Sequence, residues 1–376
     1  MHITIVANGF QEDYIYNLVN HLADKVDRLD FIGSPIYHRK KLSDKIFFYE
    51  FRPHQEQKGG IAKAIGTLKY YKKLLSHLLH SQSPVVHLQW VRFSFLEGVL
   101  LTWIIKRMGK RVFYTAHNVL PHDSNSYLTK LSFRWLYLMQ DEIFVHTSFI
   151  KDRIVKDFNL SPKKLHVVPH GVYQKELNPV ITRTSARAAL NLPQDSIVLL
   201  FFGIIQAYKG FDTLVEGVKL LGENRNVQVL AAGRLAKEYE AEFKSLVEKT
   251  ESTNYSYILR FLSEEEVEKC FKAADVTVLP YKEASQSGVL FMSYTYGVPV
   301  IAPSLGGFPE DILPSKTGYL FEPNSPQSLA ASIQKCIAEW SQAGQQERQL
   351  IRDFARDNYS WDSSCSKIVE AYQAKQ

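Results

Sequence analysis

The segment PYKEASQSGVLFMSYTYGVPVIAPSLGG, residues 280–307, contains one acid, Glu283, at the end of a run of strand-forming residues. Small and polar residues follow it, and the backbone N–H groups of residues 286–289 would begin a helix. A helix N-terminus carries about half a positive charge and exposes N–H donors, so it can bind an anion. Glu283 could then accept hydrogen bonds from hydroxyl groups of the same ligand. The pattern predicts a site for a phosphate joined to a polyol, such as a sugar nucleotide; the alternative is a solvated loop acid.

A second loop with phosphate-binding character follows the run 196–203. In LLFFGIIQAYKGFDTLVEG, Gly203 is followed by Lys209 and Gly210, and then by an amphipathic helix. The glycines let the backbone approach a ligand, Lys209 supplies a cation, and the helix start adds N–H donors. The loop therefore suits a phosphate, although a plain surface turn could show the same pattern.

In the first half of the chain, polar residues cluster after another strand. FYTAHNVLPHDS places His117 at the strand end, followed by Asn118, His122 and Asp123. Open α/β sheets bind ligands outside the carboxyl ends of their strands, so the cluster indicates a site more strongly than one histidine would. The alternative is that His117 is a satisfied structural residue.

Two further strand ends carry histidine or glycine. VVPHGV places His170 and Gly171 at the last strand of the first half, and IVANGF places Gly9 after the first strand. The loop at Gly9 has one glycine instead of the G-x-G-x-x-G pattern of dinucleotide-binding proteins. Cofactors for hydride transfer are therefore poorly supported.

Short β-rich runs alternate with helical periodicity along the whole chain, which is typical of parallel α/β layers. The strands predicted in the first half are 2–8, 28–34, 45–51, 84–90, 111–117, 142–148 and 164–170. Those predicted in the second half are 196–203, 227–233, 255–261, 276–281, 299–304 and 318–323. The predicted fold class is α/β, with Rossmann-like, doubly wound parallel sheets.

A chain of 376 residues is long enough for two hydrophobic cores. The predicted domains are residues 1–175 and 196–358, joined by a linker at 176–195 that contains two prolines and no strand pattern. A final helix over 359–376 either packs on its own domain or crosses back to the first. Periodicity alone leaves both arrangements open.

Charge is distributed unevenly between the two halves. Residues 1–175 hold 25 Lys and Arg against 14 Asp and Glu, a net charge of +11, whereas the remainder holds 20 against 25, a net charge of −5. The first half is therefore expected to face an anionic partner. The three cysteines fall in no metal or redox spacing, and the chain shows no signal peptide and no membrane-spanning run. A cytoplasmic location is predicted.

The segment 58–80, KGGIAKAIGTLKYYKKLLSHLLH, alternates apolar residues with lysines and tyrosines. A basic amphipathic helix with interfacial aromatic residues can lie on an anionic membrane. A core-packed helix with a solvated basic face explains the segment equally well. The charge of the first half favours a peripheral membrane contact, at the inner face of the plasma membrane.

The ordered set of motifs resembles the bacterial retaining glycosyltransferases of the large family four, which have the GT-B fold of two Rossmann-like domains facing a cleft. The resemblance covers nearly the whole chain. It rests on the strand end AH at 116–117 and on VPHGV, FFGIIQAYKGFDTLVEG, AAGR, ADVTVLPYKEASQSGVLFMSYTYGVPVIAPSLGGFPEDI, KTGYLFEP and YSWDSSCSKIVEAY.

The resemblance implies transfer of a hexose-type sugar from a nucleotide diphosphate donor, with retention, to a saccharide or lipid-linked acceptor in envelope or exopolysaccharide synthesis. The catalytic residues it implies are His117, Lys209 and Glu283. The donor-binding residues it implies are Gly9, Gly203, Lys209, Arg234, Arg260, Phe261, Glu283, Gln286, Ser287, Gly288 and Val289. The acceptor-side residues are Asn118, His122 and His170.

Three departures from the family pattern concern the donor site. The second Glu of the E-x7-E pattern, usually a ribose contact, is replaced by Phe291, or by Met292 if EASQSG carries a one-residue insertion. The Arg that usually follows the phosphate-loop glycine is Ile204, and the loop at Gly9 lacks the common Gly-Gly pair. The ribose contact and part of the diphosphate clamp must therefore differ here, and Arg234 is a candidate to supply the missing charge.

In the mechanism that the resemblance implies, Lys209 and helix-start N–H groups stabilise the departing diphosphate, and His117 positions a sugar hydroxyl. No D-x-D metal motif stands at a suitable strand end, so neither a metal nor another cofactor is expected, and no nucleic-acid partner is predicted. Two alternatives stay open: a GT-B sugar-nucleotide epimerase or hydrolase, and a non-catalytic nucleotide-sugar-binding protein.

Overall fold

A computed structural model describes residues 1–7, 9, 11–52, 60–121, 126–222, 226–248, 250, 254–340 and 344–374, with the side chains of 61–63 left out. The chain divides into two compact units. The first unit consists of Met1–Gly171 together with Tyr359–Gln376, and the second unit is Val172–Asn358.

Each unit is built on one parallel sheet. The first unit contains β1 (His2–Val6), β2 (Arg28–Gly33), β3 (Ile46–Glu50), β4 (Val85–Leu88), β5 (Arg111–Ala116), β6 (Glu142–Val145) and β7 (Leu165–Val167). The second contains β8 (Ile197–Phe202), β9 (Val227–Ala232), β10 (Tyr255–Ile258), β11 (Val276–Val278), β12 (Val300–Pro303) and β13 (Gly318–Phe321). The strand orders are β3-β2-β1-β4-β5-β6-β7 and β10-β9-β8-β11-β12-β13.

Helices connect the strands. Those of the first unit are α1 (Glu12–Ala23), α2 (Gly60–His80), α3 (Thr102–Arg107), α4 (Tyr127–Met139) and α5 (Ser148–Phe158), and a π-helical turn, Leu96–Leu101, precedes α3. The second unit adds α6 (Arg183–Ala189), α7 (Phe211–Lys219), α8 (Glu240–Glu248), α9 (Glu264–Ala273), α10 (Gly288–Thr295), α11 (Phe308–Asp311), α12 (Pro326–Trp340) and α13 (Gln345–Asn358). The last helix is α14, Trp361–Gln373.

All the predicted strands are present, each within two or three residues of its predicted limits. The inner strands are buried on both faces, as in β9, where every residue from Val227 to Ala232 is buried, whereas the edge strands β3 and β10 are only partly buried. Parallel sheets covered by helices on both sides need such continuous apolar strands, which explains why short apolar runs were sufficient to locate them. The prediction of two Rossmann-like parallel sheets is confirmed.

Residues 176–195, assigned above to a linker, are part of the second unit. They include α6, which begins with a capping box between Thr182 and Ser185. The guanidinium of Arg187 is buried, and it donates to the carbonyl oxygen of Ser196 at 2.7 Å and to the Asp275 carboxylate at 2.5 Å. The stretch lacks strand pattern because it is a helix held by a buried ion pair.

The final helix α14 packs on α1 of the first unit, to which Tyr359–Gln376 belongs. Trp361 is buried against Gly171, where a Cβ would lie 2.5 Å from the indole ring. At the other end, the hydroxyl of Tyr372 lies 2.5 Å from Nδ1 of His87 in β4. The helix crosses back because these large aromatic side chains complete the first core.

None of the helices in the described part of the chain is long and apolar enough to cross a membrane. Helix α2 packs through Tyr70, Leu74 and Leu78, which are buried, and exposes Lys72 and Lys73. Residues 58–59 of the predicted amphipathic segment, and the side chains of 61–63, lie outside the described residues.

Candidate functional site

Strand β8 lies between β9 and β11 in the second sheet. The chain continues from β8 to β9 on one side, whereas β11 lies on the other side of β8. The loops that follow β8 and β11 therefore lead away from each other. Ligands of open α/β sheets bind outside the carboxyl ends of the strands at such a switch. The predicted donor residues Gly203, Lys209 and Glu283 follow β8 and β11, so the fold brings them to the same sheet edge.

Two glycines at this edge allow close approach of the backbone. Gly203 has a φ of +109°, and Gly233 has a φ of +141°. A Cβ on Gly233 would lie 1.8 Å from the carbonyl oxygen of Gly203, so no other residue fits there. A Cβ on Gly203 would lie 3.5 Å from Cγ2 of Val289, which places the phosphate-loop glycine next to the start of α10.

The loop of Lys209 is attached to the end of β11. Gly210 has a φ of +70°, and a Cβ on it would lie 1.9 Å from the carbonyl oxygen of Pro280. The backbone N–H of Lys282 donates to the carbonyl oxygen of Tyr208 at 2.8 Å. The positions of Lys209 and of the Glu283 segment are therefore coupled.

Lys209 is half-buried on an aromatic surface. Its Nζ lies 3.8 Å from the centroid of the Tyr281 ring, in a cation–π contact, and 5.2 Å from that of Tyr208. Burial lowers the pKa of Lys209, and the interaction with Tyr208 opposes that effect. Among the described residues, no carboxylate forms an ion pair with Lys209. Because the ring faces stabilise its charge without neutralising it, the ammonium remains available to an anion.

The start of α10 also retains hydrogen-bonding capacity. The N-cap residue Ser287 makes no side-chain capping bond, because its hydroxyl lies 3.3 Å from that of Tyr281. Oε1 of Gln286 is buried and has no hydrogen-bond partner in the described part of the chain. A Cβ on Gly288 would lie 2.9 Å from the hydroxyl of Tyr173, so a glycine lets the helix start close to that hydroxyl.

Glu283 is exposed at the end of this loop, and no described residue forms an ion pair with it. The loop is supported by Gly306, where a Cβ would lie 1.9 Å from the carbonyl oxygen of Ala284. The backbone N–H of Gly307 donates to Ser285 at 3.1 Å. Gly306 and Gly307 thus hold the loop through contacts with its backbone, and the Glu283 carboxylate remains accessible.

Two residues near the site were missed by sequence reasoning. Tyr281 provides the ring beneath Lys209, and Lys282 forms an ion pair of 2.6 Å with Asp212 in the first turn of α7. The sequence indicated them only through their position beside Glu283 in the string YKE, because residues next to a strand-end acid are expected at the same edge of the sheet. Asp212 therefore pairs with the lysine next to Glu283, whereas no carboxylate among the described residues pairs with Lys209.

Phe291 and Met292, the two candidates for the position of the family's second Glu, are apolar and lie among apolar neighbours. Phe291 is 2% exposed, and Met292 is half-buried in a cluster with Phe202 and Val289. A carboxylate at Met292 would lose contacts with these apolar neighbours. Ile204, at the position of the usual Arg, is exposed and carries no charge.

The predicted donor-binding residues that follow β9 and β10 separate into two groups. The guanidinium of Arg260 makes two hydrogen bonds, of 3.0 Å and 2.5 Å, to Glu266, which closes the capping box of α9. This pairing and the Ser263 N–H lower the pKa of Glu266 to about 2. Phe261 is 76% exposed, and the guanidinium of Arg234 lies 5.3 Å from its ring centroid. Arg234 and Phe261 thus form the accessible pair, whereas Arg260 supports a helix start.

In the first unit, His117 lies at the end of β5 within a cluster of buried histidines. Its Nδ1 is 3.1 Å from Nε2 of His146, and Nδ1 of His146 is 3.0 Å from the carbonyl oxygen of Val168. A carbonyl only accepts hydrogen bonds, so His146 carries its proton on Nδ1 and accepts at Nε2. His117 must then donate from Nδ1, which leaves its Nε2 as an acceptor.

The environment of His117 keeps the ring neutral. Burial lowers its pKa well below the usual value, and nearby His146 and His170 lower it further. The ring stacks on Trp90 with centroids 3.8 Å apart, and its Nε2 is buried and has no partner among the described residues. This atom can accept a hydrogen bond from a hydroxyl group of a ligand.

The other first-unit candidates have varied surroundings. Nδ1 of His170 donates to the carbonyl oxygen of Gly171 at 2.7 Å, and burial lowers its pKa to about 3. Asn118 is half-buried next to His117. Gly9 has a φ of +85° and lies over Ser34, whose Oγ would be 2.8 Å from a Cβ. His122 lies outside the described residues.

The profile described as "Glycosyltransferase Family 4" matches residues 11–175, and that described as "Glycosyl transferases group 1" matches residues 182–356. A D-inositol 3-phosphate glycosyltransferase of Streptomyces avermitilis is 28% identical over 242 residues, covering 62% of this chain and 52% of that protein. The chain therefore spans about half the length of the curated relatives it matches.

Solved structures share the fold along the whole chain. Sucrose-phosphate synthase from Thermosynechococcus elongatus has a TM-score of 0.78 at 17% identity and covers 99% of this chain and 98% of its own. The Anabaena protein HepE in complex with UDP has a TM-score of 0.76 at 14% identity and covers 99% of each chain. With both family profiles and this shared architecture, the chain belongs to the glycosyltransferases of family four and has the GT-B fold.

Proposed function

We propose that the protein transfers a hexose-type sugar, with retention of configuration, from a nucleoside diphosphate sugar to a saccharide or lipid-linked acceptor in envelope or exopolysaccharide synthesis. The observation that carries the proposal is the set of groups at one edge of the second sheet. Lys209 retains its charge on an aromatic ring, α10 begins without a side-chain cap, and Glu283 is exposed nearby. Cation and N–H groups suit a diphosphate, and the carboxylate suits sugar hydroxyls.

The chemistry needs stabilisation of a leaving group rather than a strong nucleophile. As the bond between the sugar and the diphosphate breaks, negative charge develops on the departing phosphate oxygen. Lys209 and the N–H groups at the start of α10 are already oriented and largely desolvated, so little reorganisation is needed. The acceptor hydroxyl attacks the same face of the sugar and loses its proton to the departing phosphate.

His117 has a positioning role in this proposal. Because its Nε2 is an acceptor, it receives a hydrogen bond from a hydroxyl group of a sugar substrate. Its neutral ring is a poor acid at physiological pH, since burial lowers its pKa. We therefore assign His117 to orientation of the sugar and not to nucleophilic attack.

The donor class is supported by the ligands of structural neighbours. HepE of Anabaena was solved with UDP-glucose, and the catalytic domain of starch synthase IV from Arabidopsis thaliana was solved with ADP and acarbose. These ligands share a nucleoside diphosphate and differ in the base. Arg234 and Phe261 are the residues to which we assign the base in this chain.

A donor screen tests the proposal. UDP-, GDP- and ADP-sugars are incubated with the protein, with and without saccharide and lipid-linked acceptors, and the nucleoside diphosphate released is measured. We expect release that depends on acceptor, and a loss on the order of a hundredfold in kcat for Lys209→Ala. Lys219→Ala, an exposed lysine at the end of α7, is the matched control and should retain full turnover.

The same screen separates the alternatives. Conversion of the donor without acceptor would identify an epimerase or hydrolase instead of a transferase. Donor binding without turnover, unchanged in Glu283→Ala, would identify a non-catalytic binding protein, which the apolar Met292 and uncharged Ile204 favour. Either result would overturn the transferase proposal.

A further inference from the structure

Two neighbouring segments of the first unit expose an unusual amount of apolar surface. They are residues 92–107, which include the π-helical turn and α3, and helix α4. We refer to their exposed face as the aromatic face. Its exposed large apolar side chains are Phe93, Phe95, Leu96, Leu100, Trp103, Tyr127, Leu128, Leu131, Trp135 and Leu138.

The exposed residues of α4 form a stripe opposite its core-packing side. Leu128, Leu131, Trp135 and Leu138 are exposed at spacings of three, four and three residues, which align on one side of a helix. Leu136, on the other side, is buried. Since α4 already buries an apolar side in the core, its outer stripe remains exposed in the described part of the chain.

The preceding segment repeats this pattern. Leu96, Leu100 and Trp103 are exposed at spacings of four and three residues, while Leu101 and Ile105 are buried. The guanidinium of Arg107 lies 4.9 Å from the ring of Trp103. Large apolar side chains are thus directed outward on a second helical segment.

Direct contacts hold the two segments together. A Cβ on Gly98 would lie 2.5 Å from Cγ of Leu136, so only a glycine allows α4 this close. The hydroxyl groups of Ser94 and Ser132 are 2.8 Å apart, within one residue of Phe95 and Leu131. The two stripes are therefore neighbours on one rigid scaffold.

The charges that accompany the aromatic face have one sign. Its exposed charged residues are Arg92, Lys106, Arg107, Lys130 and Arg134. Glu97, the one acid within residues 92–107 and 127–139, is 3% exposed and pairs with Arg52 at 3.0 Å. Lys106 is paired with Asp141 at 2.7 Å, and the arginines and Lys130 remain for a partner.

We propose that the aromatic face docks the protein on an anionic phospholipid surface. Tryptophan side chains favour the interfacial region of a bilayer, leucines enter the acyl boundary, and flanking arginine and lysine residues bind anionic headgroups. A second copy of the chain is a poorer partner, because a two-fold contact through this face would bring its unpaired cations together. The inference concerns a surface of the first unit and does not depend on donor chemistry in the second.

This surface differs from the one that the sequence suggested. Helix α2 also exposes lysines, together with Ile65, Leu68 and Leu79, but it contains no tryptophan or phenylalanine, and Tyr70, Leu74 and Leu78 pack in the core. The two segments therefore offer competing sites for a membrane, and α2 provides a control of similar charge.

Vesicle flotation tests the proposal with the full chain. Vesicles of phosphatidylcholine are compared with vesicles that also contain phosphatidylglycerol, without donor or acceptor. We expect the wild type to float only with the anionic vesicles and Trp103→Ser/Trp135→Ser to lose at least about tenfold in partitioning. Arg107→Ala/Arg134→Ala should lower partitioning onto the anionic vesicles by roughly fivefold for each cation removed. Raised salt should lower the partitioning of the wild type for the same reason. Leu68→Ser/Lys72→Ala on α2 is the matched control and should float as the wild type does.

Each other outcome counts against the proposal. It is overturned if the wild type does not float, if the double tryptophan variant floats undiminished, or if the α2 variant loses as much. Size-exclusion chromatography on the same proteins detects a self-interface: a wild-type dimer that the tryptophan substitutions dissociate would assign the face to a second copy. Since all these side chains are exposed, unchanged thermal unfolding confirms that each variant is folded. Donor turnover, measured separately with a soluble acceptor, distinguishes failure here from failure of the transferase proposal.

Discussion

Nδ1 of His117 lies 3.1 Å from Nε2 of His146, and this contact determines which nitrogen of His117 carries the proton. His146 is itself fixed by the carbonyl oxygen of Val168, 3.0 Å from its Nδ1. His146 therefore acts as a positioning residue that holds His117 in the tautomer whose Nε2 accepts a hydrogen bond.

Replacement of His146 should release this tautomer. In His146→Phe, His117 loses the acceptor for its Nδ1 proton, and the proton can move to Nε2. We expect roughly a tenfold fall in kcat/KM for sugar transfer, the cost of about one hydrogen bond. Nitrogen chemical shifts of the His117 ring should show the change of protonated atom. His146→Gln offers an amide oxygen as acceptor and should restore part of the kcat/KM and part of the original His117 tautomer. A His117 tautomer unchanged in His146→Phe would contradict the assignment.

The buried histidines predict a loss of stability in mild acid. Burial lowers the pKa of His87 to about 3, that of His146 to about 4 and that of His170 to about 3. The unfolded chain takes up protons near pH ~6.5 while the folded chain does not, so the free energy of unfolding falls as pH decreases below that value. The slope is at most about 1.4 kcal/mol per pH unit for each histidine.

Urea unfolding between pH ~7 and ~5 measures this slope, in a range above the titration of ordinary carboxylates. His87→Gln should reduce the slope by the contribution of one histidine, because a glutamine does not titrate. A free energy of unfolding that stays constant through this range would show that the histidines are protonated without cost in the folded protein.

The phosphate loop should be sensitive to a single methyl group. Gly210→Ala introduces a Cβ that would lie 1.9 Å from the carbonyl oxygen of Pro280, at a φ of +70°. We expect a loss of about 3 kcal/mol in the free energy of unfolding, combining strain and clash, together with weaker donor turnover. Gly109→Ala, at a φ of +76° with no heavy atom within 4 Å, isolates the strain and should cost about 1 kcal/mol. Equal losses for the two variants would argue against the coupling of Lys209 to β11.

The final helix should contribute to the stability of the first unit through Tyr372. Its hydroxyl lies 2.5 Å from Nδ1 of the buried His87, so Tyr372→Phe leaves a buried nitrogen without this partner. We expect a cost of about 1–2 kcal/mol, measured by urea unfolding. Lys367→Ala, at an exposed position of the same helix, should change the stability by less than about 0.5 kcal/mol. A neutral Tyr372→Phe would mean that this contact adds nothing to stability.

Turnover should be independent of divalent cations. In the proposed mechanism, Lys209 and the start of α10 take the place of the positive charge that a metal would provide to a departing diphosphate. Sugar transfer in the presence of a chelator should therefore equal that without it. Activity lost on chelation and restored by Mg²⁺ would overturn this part of the mechanism.

Local sequence patterns were sufficient for the strands and for the positions of the polar strand ends. Apolar runs bounded by glycine, proline and polar residues located every strand of both sheets, because parallel strands covered by helices on both faces are predominantly apolar. The same patterns placed His117, Lys209 and Glu283 at strand ends, and the fold brings Lys209 and Glu283 to one edge of the second sheet.

The partners of those residues were decided only by the tertiary structure. His117 meets a residue 29 positions away and His87 meets one 285 positions away, distances over which periodicity carries no information. Arg260, predicted among the donor-binding residues, pairs with Glu266, because the start of α9 lies nearby. Whether a side chain is buried or paired depends on which elements the fold packs against it, so the ring of Tyr281 beneath Lys209 and the aromatic face were visible only in three dimensions.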